Sequence, residues 1–136
     1  MAHEKFPVEV LTPEGEVFND EVEMVSTRTS IGSIGILANH SPLMAILDPT
    51  ELRLYRTETE IVRFAQAEGY MQFADNRALL LVEEAVPPED LDAGALKEEL
   101  SDAERRLSES ESGSAEWSRA VKDKQRAETF LSIAQG

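Results

Sequence analysis

At 136 residues the chain has room for one compact domain with an appendage, or for two very small units, and not for a large enzyme core. Its formal charge of -14 opposes phosphate backbones and anionic lipid headgroups, which argues against nucleic-acid binding and leaves any membrane association to run through a protein. No cysteine is present, so disulfides, thiolate zinc sites and thiol catalysis are excluded, and no run reaches the roughly 20 apolar residues that cross a bilayer.

Residues Met1 to Lys5 read as a short polar leader, the start of a mature protein. From Phe6 to Val86 short β segments alternate with turns at the spacing of a sandwich or barrel. Phe6, Val8 and Val10 alternate with Pro7 and Glu9 and share one face. Thr12-Pro13-Glu14-Gly15 is a turn, with Glu16 to Phe18 pairing back. Val22 to Thr27 is a strand, followed by a glycine-punctuated stretch, Gly32-Ser33-Ile34-Gly35, that runs into Asn39-His40-Ser41-Pro42 and reads as one ordered loop. Leu43 to Leu47 is apolar throughout and reads as buried on both sides. After Asp48-Pro49, Leu52 and Leu54 alternate with Arg53 and Tyr55, Thr57 to Glu60 is a hairpin tip, and Ile61 to Ala67 returns. Met71 and Phe73 alternate before an Asp75-Asn76 turn, and Ala78 to Val82 is the last apolar strand.

Pro87-Pro88 marks a boundary, because consecutive prolines cannot continue a ladder. The expected units are residues 1–86, a β domain, and 87–136, a helix-loop-helix. Ala93, Leu96, Leu100, Ala103 and Leu107 form a helical stripe with Asp90 as N-cap, and Ser108 to Ser114 breaks it. A second stripe runs from Trp117 through Ala120, Val121, Ala127, Phe130 and Leu131 to Ala134. Two helices joined by a short loop make an antiparallel hairpin whose apolar stripes are thin. It is either docked permanently on the β domain or an element that exchanges partners.

Catalytic chemistry is not legible, and no catalytic residue is assigned. His40 beside Ser41 lacks an evident orienting carboxylate and reads as a loop-ordering or interface residue; the rival reading is a small hydrolase using that pair. The two histidines, His3 and His40, do not make a metal set. The Gly32 to Gly35 stretch lacks the Gly-Lys-Ser/Thr that follows in a phosphate loop.

Gly32 to Leu43, with its Gly-x-x-Gly-Ile and His-x-Pro-Leu elements, resembles the signature of the epsilon subunit of F-type (rotary) ATP synthases. Val10 to Phe18, Glu21 to Val25, Ile46 to Pro49 and Gly69 to Phe73 are similar to further landmarks of that family, in order and spacing. The resemblance implies a mainly β fold with added α structure: a ten-stranded β-sandwich followed by a C-terminal helical hairpin. It implies a non-catalytic central-stalk subunit that couples proton-driven c-ring rotation to ATP synthesis. Its partners would be the gamma subunit, the c-ring and, through the hairpin, the alpha/beta catalytic subunits. The implied place is the cytoplasmic face of the bacterial plasma membrane, or the stromal face of the thylakoid in a plastid.

The c-ring contact implied by the signature is Ala38, Asn39, His40, Ser41 and Pro42. A regulatory role that limits ATP hydrolysis falls on the second helix, with Trp117, Arg119, Lys122, Lys124 and Arg126; the plain alternative is a solvated basic face paired with the acidic first helix. Some bacterial members carry an Ile/Leu-Asp-x-x-Arg-Ala nucleotide motif. Here Leu91 and Asp92 match, but Ala95 replaces the arginine, and Asp102, Gln125 and Thr129 stand where further arginines are found. Without those guanidinium forks nucleotide binding is not expected, and no cofactor is expected. Ala38 and Thr50 replace residues frequent in the family, proline and glycine, which implies looser or differently shaped turns. The rival from another class is a stand-alone sandwich that binds a small ligand.

Overall fold

The computed structural model describes residues 3–136, so Met1 and Ala2 of the expected leader lie outside the described residues. Two compact units divide the chain between Pro87 and Pro88. The first holds ten strands: β1 (Phe6–Thr12), β2 (Gly15–Val22), β3 (Met24–Thr29), β4 (Gly32–Leu37), β5 (Leu43–Leu47), β6 (Thr50–Tyr55), β7 (Ile61–Gln66), β8 (Gly69–Ala74), β9 (Arg77–Val82) and β10 (Ala85–Val86).

The strands run in the order β10-β7-β6-β3-β5-β8-β9-β1-β2, with β4 on the other edge of β3. One edge of β3 serves two neighbours in succession. Met24, Val25 and Ser26 pair with β6, while Thr29 pairs with Leu47 of β5. The continuous ladder therefore splits into two layers of five strands at β3, a β-sandwich with one linked corner. Phe6, Val25, Leu54, Leu80 and their neighbours from both layers form one buried core, in which Phe6 meets Phe73 edge to face at 5.6 Å between centroids.

Where β5 and β6 part from β3, Gln66 fills the gap. It is fully buried, accepts the Thr27 hydroxyl at 2.6 Å and donates Nε2 to the carbonyls of Asp48 (3.0 Å) and Ala67 (3.2 Å). A buried amide at a sheet junction satisfies backbone groups that neither ladder reaches.

Two hairpin turns repeat one device. In Thr12-Pro13-Glu14-Gly15 and in Thr29-Ser30-Ile31-Gly32 the threonine hydroxyl donates to the glycine carbonyl and accepts the N–H two residues on. The glycines close both turns at φ of 126° and 138°, which a side chain would resist. The second turn corrects one sequence reading: Gly32 to Leu37 is not a loop but β4, paired residue for residue with β3. Its glycines hid the strand pattern. Thr50 opens β6 without a positive φ, so its backbone does not call for a glycine.

β5 corrects another. Leu47 is buried and Leu43 and Ala45 half-buried, but Met44 is 76% exposed and Ile46 57% exposed, because only one face of that strand meets the core.

The second unit, Pro88–Gly136, opens on a 3-10 turn, Pro88–Asp90, followed by α1 (Ala93–Glu109) and α2 (Ala115–Ala134). The cap of α1 is Asp92 rather than Asp90: its Oδ1 accepts from Ala95 N at 3.1 Å, while Asp90 is spent in the 3-10 turn. Ser114 caps α2 in the same way through Trp117 N at 3.1 Å.

Gly69 lies where β8 passes close to β9, and a Cβ there would run into the Leu81 carbonyl and Val82 Cα. Gly69→Ala is therefore expected to cost about 1–3 kcal/mol. Gly35→Ala, whose Cβ meets only Met24 Sδ at ordinary distance, should change stability by no more than about 0.5 kcal/mol. Chemical unfolding of the two variants side by side checks the contrast.

Candidate functional site

The loop between β4 and β5 holds Ala38, Asn39, His40, Ser41 and Pro42 together. Ala38 is half-buried and packs against the core, whereas Asn39, Ser41 and Pro42 are exposed. Asn39 takes φ 66°, which an asparagine tolerates. Its backbone N–H donates to Asn76 Oδ1 at 2.6 Å, and its side-chain amide donates to Glu4 Oε2 at 3.0 Å. Asp75 and Asn76 themselves form the two-residue β8–β9 turn at φ 53° and 58°, so one turn braces the other. The His40 ring donates from Nδ1 to the Ser41 carbonyl at 2.7 Å and stands edge-on to Phe73 at 5.9 Å. The imidazole engages the carbonyl of Ser41, not its hydroxyl, so the arrangement orders a loop and does not activate a nucleophile.

A second surface was not singled out by the sequence reading. On the outer face of the layer containing β5, cross-strand partners line up as Ile46, Tyr70, Leu81 and Leu11. Ile46, Tyr70 and Leu81 are 57%, 60% and 46% exposed, and Met44 adds to them one pair along. The row ends in a cleft of about 270 Å³ lined by Leu11, Pro13, Gly69, Tyr70 and Leu81 among others. A contiguous apolar row on a solvated face is the unusual feature, since scattered apolar residues are ordinary. Its signal in the sequence is the uninterrupted apolar run of β5, which a one-sided strand does not need.

The helical residues divide. By spacing, Arg119, Lys122 and Arg126 share one stripe of α2, while half-buried Trp117 and Lys124 share another. Arg119 and Lys122 are exposed, whereas Arg126 is half-buried and donates to Asp123 Oδ1 at 2.9 Å. The basic set is thus not one patch. Arg106 donates Nε to Asp102 Oδ2 of its own helix and, across to α2, a terminal nitrogen to Asp123 Oδ2, both at 2.9 Å. Hydrogen bonds from Arg105 and then Arg106 hold the Asp102 carboxyl below its ordinary range. A depressed carboxyl contributes its share of stability above the ordinary value and loses it as pH falls through the lowered one. The signal for these groups was opposite charge at i,i+4, visible at Asp102 and Arg106.

At the degenerate nucleotide stretch, Leu91 is half-buried, Asp92 is committed to capping α1, and Ala95 supplies the capped N–H. Asp102 is committed to two arginines of its own helix. Among the described residues no group of three or more His, Asp or Glu side chains is arranged to hold a metal ion.

The family model for the ATP synthase delta/epsilon chain, beta-sandwich domain, matches residues 5–88. An ATP synthase epsilon chain from Persephonella marina is 37% identical over 130 residues, covering 95% of this chain and 96% of the relative. A chain in the cryo-EM structure of the Euglena gracilis mitochondrial ATP synthase (OSCP/F1/c-ring) superposes with a TM-score of 0.75 at 20% identity, over 97% of this chain and 82% of the other. A chain of the Tetrahymena thermophila mitochondrial ATP synthase central stalk and c-ring does so with a TM-score of 0.61 at 19% identity, over 98% and 99%. These two likenesses speak to the fold.

Because Asp92 and Asp102 already have partners and no arginine replaces Ala95, millimolar Mg-ATP is expected to leave the thermal midpoint of the isolated chain unchanged. A ligand bound only by the folded state must raise it. Differential scanning with and without Mg-ATP decides the point, and a clear upward shift would contradict it.

Proposed function

The chain belongs to the delta/epsilon family of ATP synthase chains, as an epsilon chain and a non-catalytic subunit, and we propose that it works in the central stalk of an F-type enzyme. In this reading it couples proton-driven rotation of the c-ring to ATP synthesis. The observation that carries the reading beyond family membership is the exposed row Ile46, Tyr70 and Leu81. A face of that kind fits a permanent partner whose apolar surface buries it, and in a central stalk that partner is the gamma subunit. The cleft at the end of the row suits a protruding apolar side chain of gamma.

The braced loop Ala38 to Pro42 is the contact proposed for the c-ring. Its support is rigidity: two turns hold each other through Asn39 and Asn76, so the loop presents a fixed surface. The units 1–86 and 87–136 are proposed as a stalk-binding domain and a regulatory arm that limits ATP hydrolysis by meeting the alpha/beta catalytic subunits. Exposed Arg119 and Lys122 support that role, as charges available to an acidic partner. No helix among the described residues is long and apolar enough to cross a membrane. The proposed location is peripheral, on the cytoplasmic face of a bacterial plasma membrane.

The face reading is tested by assembly. Ile46→Glu and Tyr70→Glu, both on the solvated side, should leave the isolated chain's unfolding midpoint nearly unchanged while reducing its recovery with gamma at least tenfold, as for loss of an interface anchor. Undiminished recovery would remove this face from the stalk interface.

The arm reading is tested by truncation after Val86. The shortened chain should fold, join the complex and support coupled synthesis, and the complex should hydrolyse ATP faster than one with the full chain. Equal hydrolysis rates would leave the hairpin without a regulatory part.

A further inference from the structure

Few apolar side chains of the hairpin are fully buried, and Leu100, Leu107, Trp117, Leu131 and Ile133 are only half-buried. Its buried residues are Leu96 and Ala103 on α1 and Ala120, Ala127 and Phe130 on α2, and three of these five are alanines that contribute about one methyl each. Against that thin seam stands a chain of charges alternating in sign: Glu109, Arg105, Asp102, Arg106, Asp123, Arg126. Five contacts join them in sequence, four between 2.9 and 3.0 Å and the Arg105–Asp102 contact at 2.6 Å. The link from Arg106 to Asp123 crosses from one helix to the other.

We propose that the Arg106–Asp123 pair is an electrostatic latch that holds α1 against α2, so that ionic strength sets how often the hairpin opens. Isolated surface pairs contribute little, but two features raise this one above them. The Arg106 and Asp123 side chains are only 32% and 24% exposed, and each is held in place by a further charge, Asp102 behind the guanidinium and Arg126 behind the carboxylate. The pre-arranged neighbours reduce the side-chain freedom lost when the pair closes. The screening length falls from about 10 Å at 0.1 M to about 3 Å at 1 M, comparable to the 2.9 Å contact only at the high end, so the latch weakens as salt approaches molar concentration. With so little apolar area in the seam, that weakening is felt as opening rather than absorbed by packing.

The latch rests on the reading of residues 87–136 as a regulatory arm only for its consequence in the assembled enzyme, where it would make release of the arm sensitive to salt. Amide hydrogen exchange on the full-length chain decides the latch itself, and hydrolysis by the complex truncated after Val86 decides the arm reading separately. In the free chain, protection of the α2 amides around Ala120 and Ala127 is expected to fall about threefold between 0.05 and 1 M NaCl. Arg106→Gln and Asp123→Asn should each lose a similar factor at low salt and become insensitive to added salt, and the double variant should be no worse than either single one. Lys97→Gln, which changes an exposed charge on α1 without touching the pair, should behave as the parent. Additive losses in the double variant, undiminished protection in either single variant, or a parent insensitive to salt would overturn the proposal.

Discussion

The β unit depends on one shared edge. β3 has to serve β6 along its first half and β5 at its end, and the two layers of the sandwich separate at the point of exchange. A ladder interrupted in that way leaves backbone groups without strand partners in an apolar interior, where each costs about 1–3 kcal/mol if left unsatisfied. Gln66 answers the constraint with one side chain, taking the Thr27 hydroxyl and giving to the Asp48 and Ala67 carbonyls. Thr27, Asp48 and Gln66 belong to three different segments, so the amide fixes their register as well as satisfying them.

The consequences reach the surface. With the core committed between the layers, the second face of β5 and its neighbours is left to solvent, which is why Met44, Ile46, Tyr70 and Leu81 stand exposed on an otherwise well-formed sheet. The loop of Ala38 to Pro42 gains its rigidity from the same layer, through the β8–β9 turn and the Phe73 ring. The hairpin follows a different rule. Alanine seams bring helices close but bury little, and that thin packing is what the proposal of a hairpin that opens rests on.

Much of this architecture was legible in the sequence, because strict alternation at Phe6, Val8 and Val10 or at Leu52 and Leu54 reports a one-sided strand directly. The hidden strands had reasons to be hidden. Gly32 and Gly35 in β4 carry no side-chain pattern, and β10 is two residues long beside a double proline. The family resemblance, rather than periodicity, supplied the count of ten. Met44 and Ile46 misled because an apolar run reports burial without saying whether by the chain itself or by another molecule. The bracing of Asn39 by Asn76 joins residues 37 apart, and the crossing from Arg106 to Asp123 depends on how two helices rotate against each other; neither is written in local spacing. Asp90 reads as the cap in the sequence because nothing in local spacing shows that the Pro88–Asp90 turn consumes it and leaves the cap to Asp92.

The exposed row has a further consequence for a copy of the chain that has not yet met its partners. Sticky faces and outer strands invite like molecules to adhere, and dense like charge is what keeps them apart. Each free copy carries -14, and β2, at the end of the strand order, places Glu16, Asp20 and Glu21 along its length. Two free copies therefore repel over a Debye length before their apolar rows can touch, while a partner of neutral or basic surface meets no such barrier. Colloidal stability and selective assembly come from the same acidic composition, so raising the salt or trimming the acidic residues should bring self-adhesion closer even where the fold is untouched.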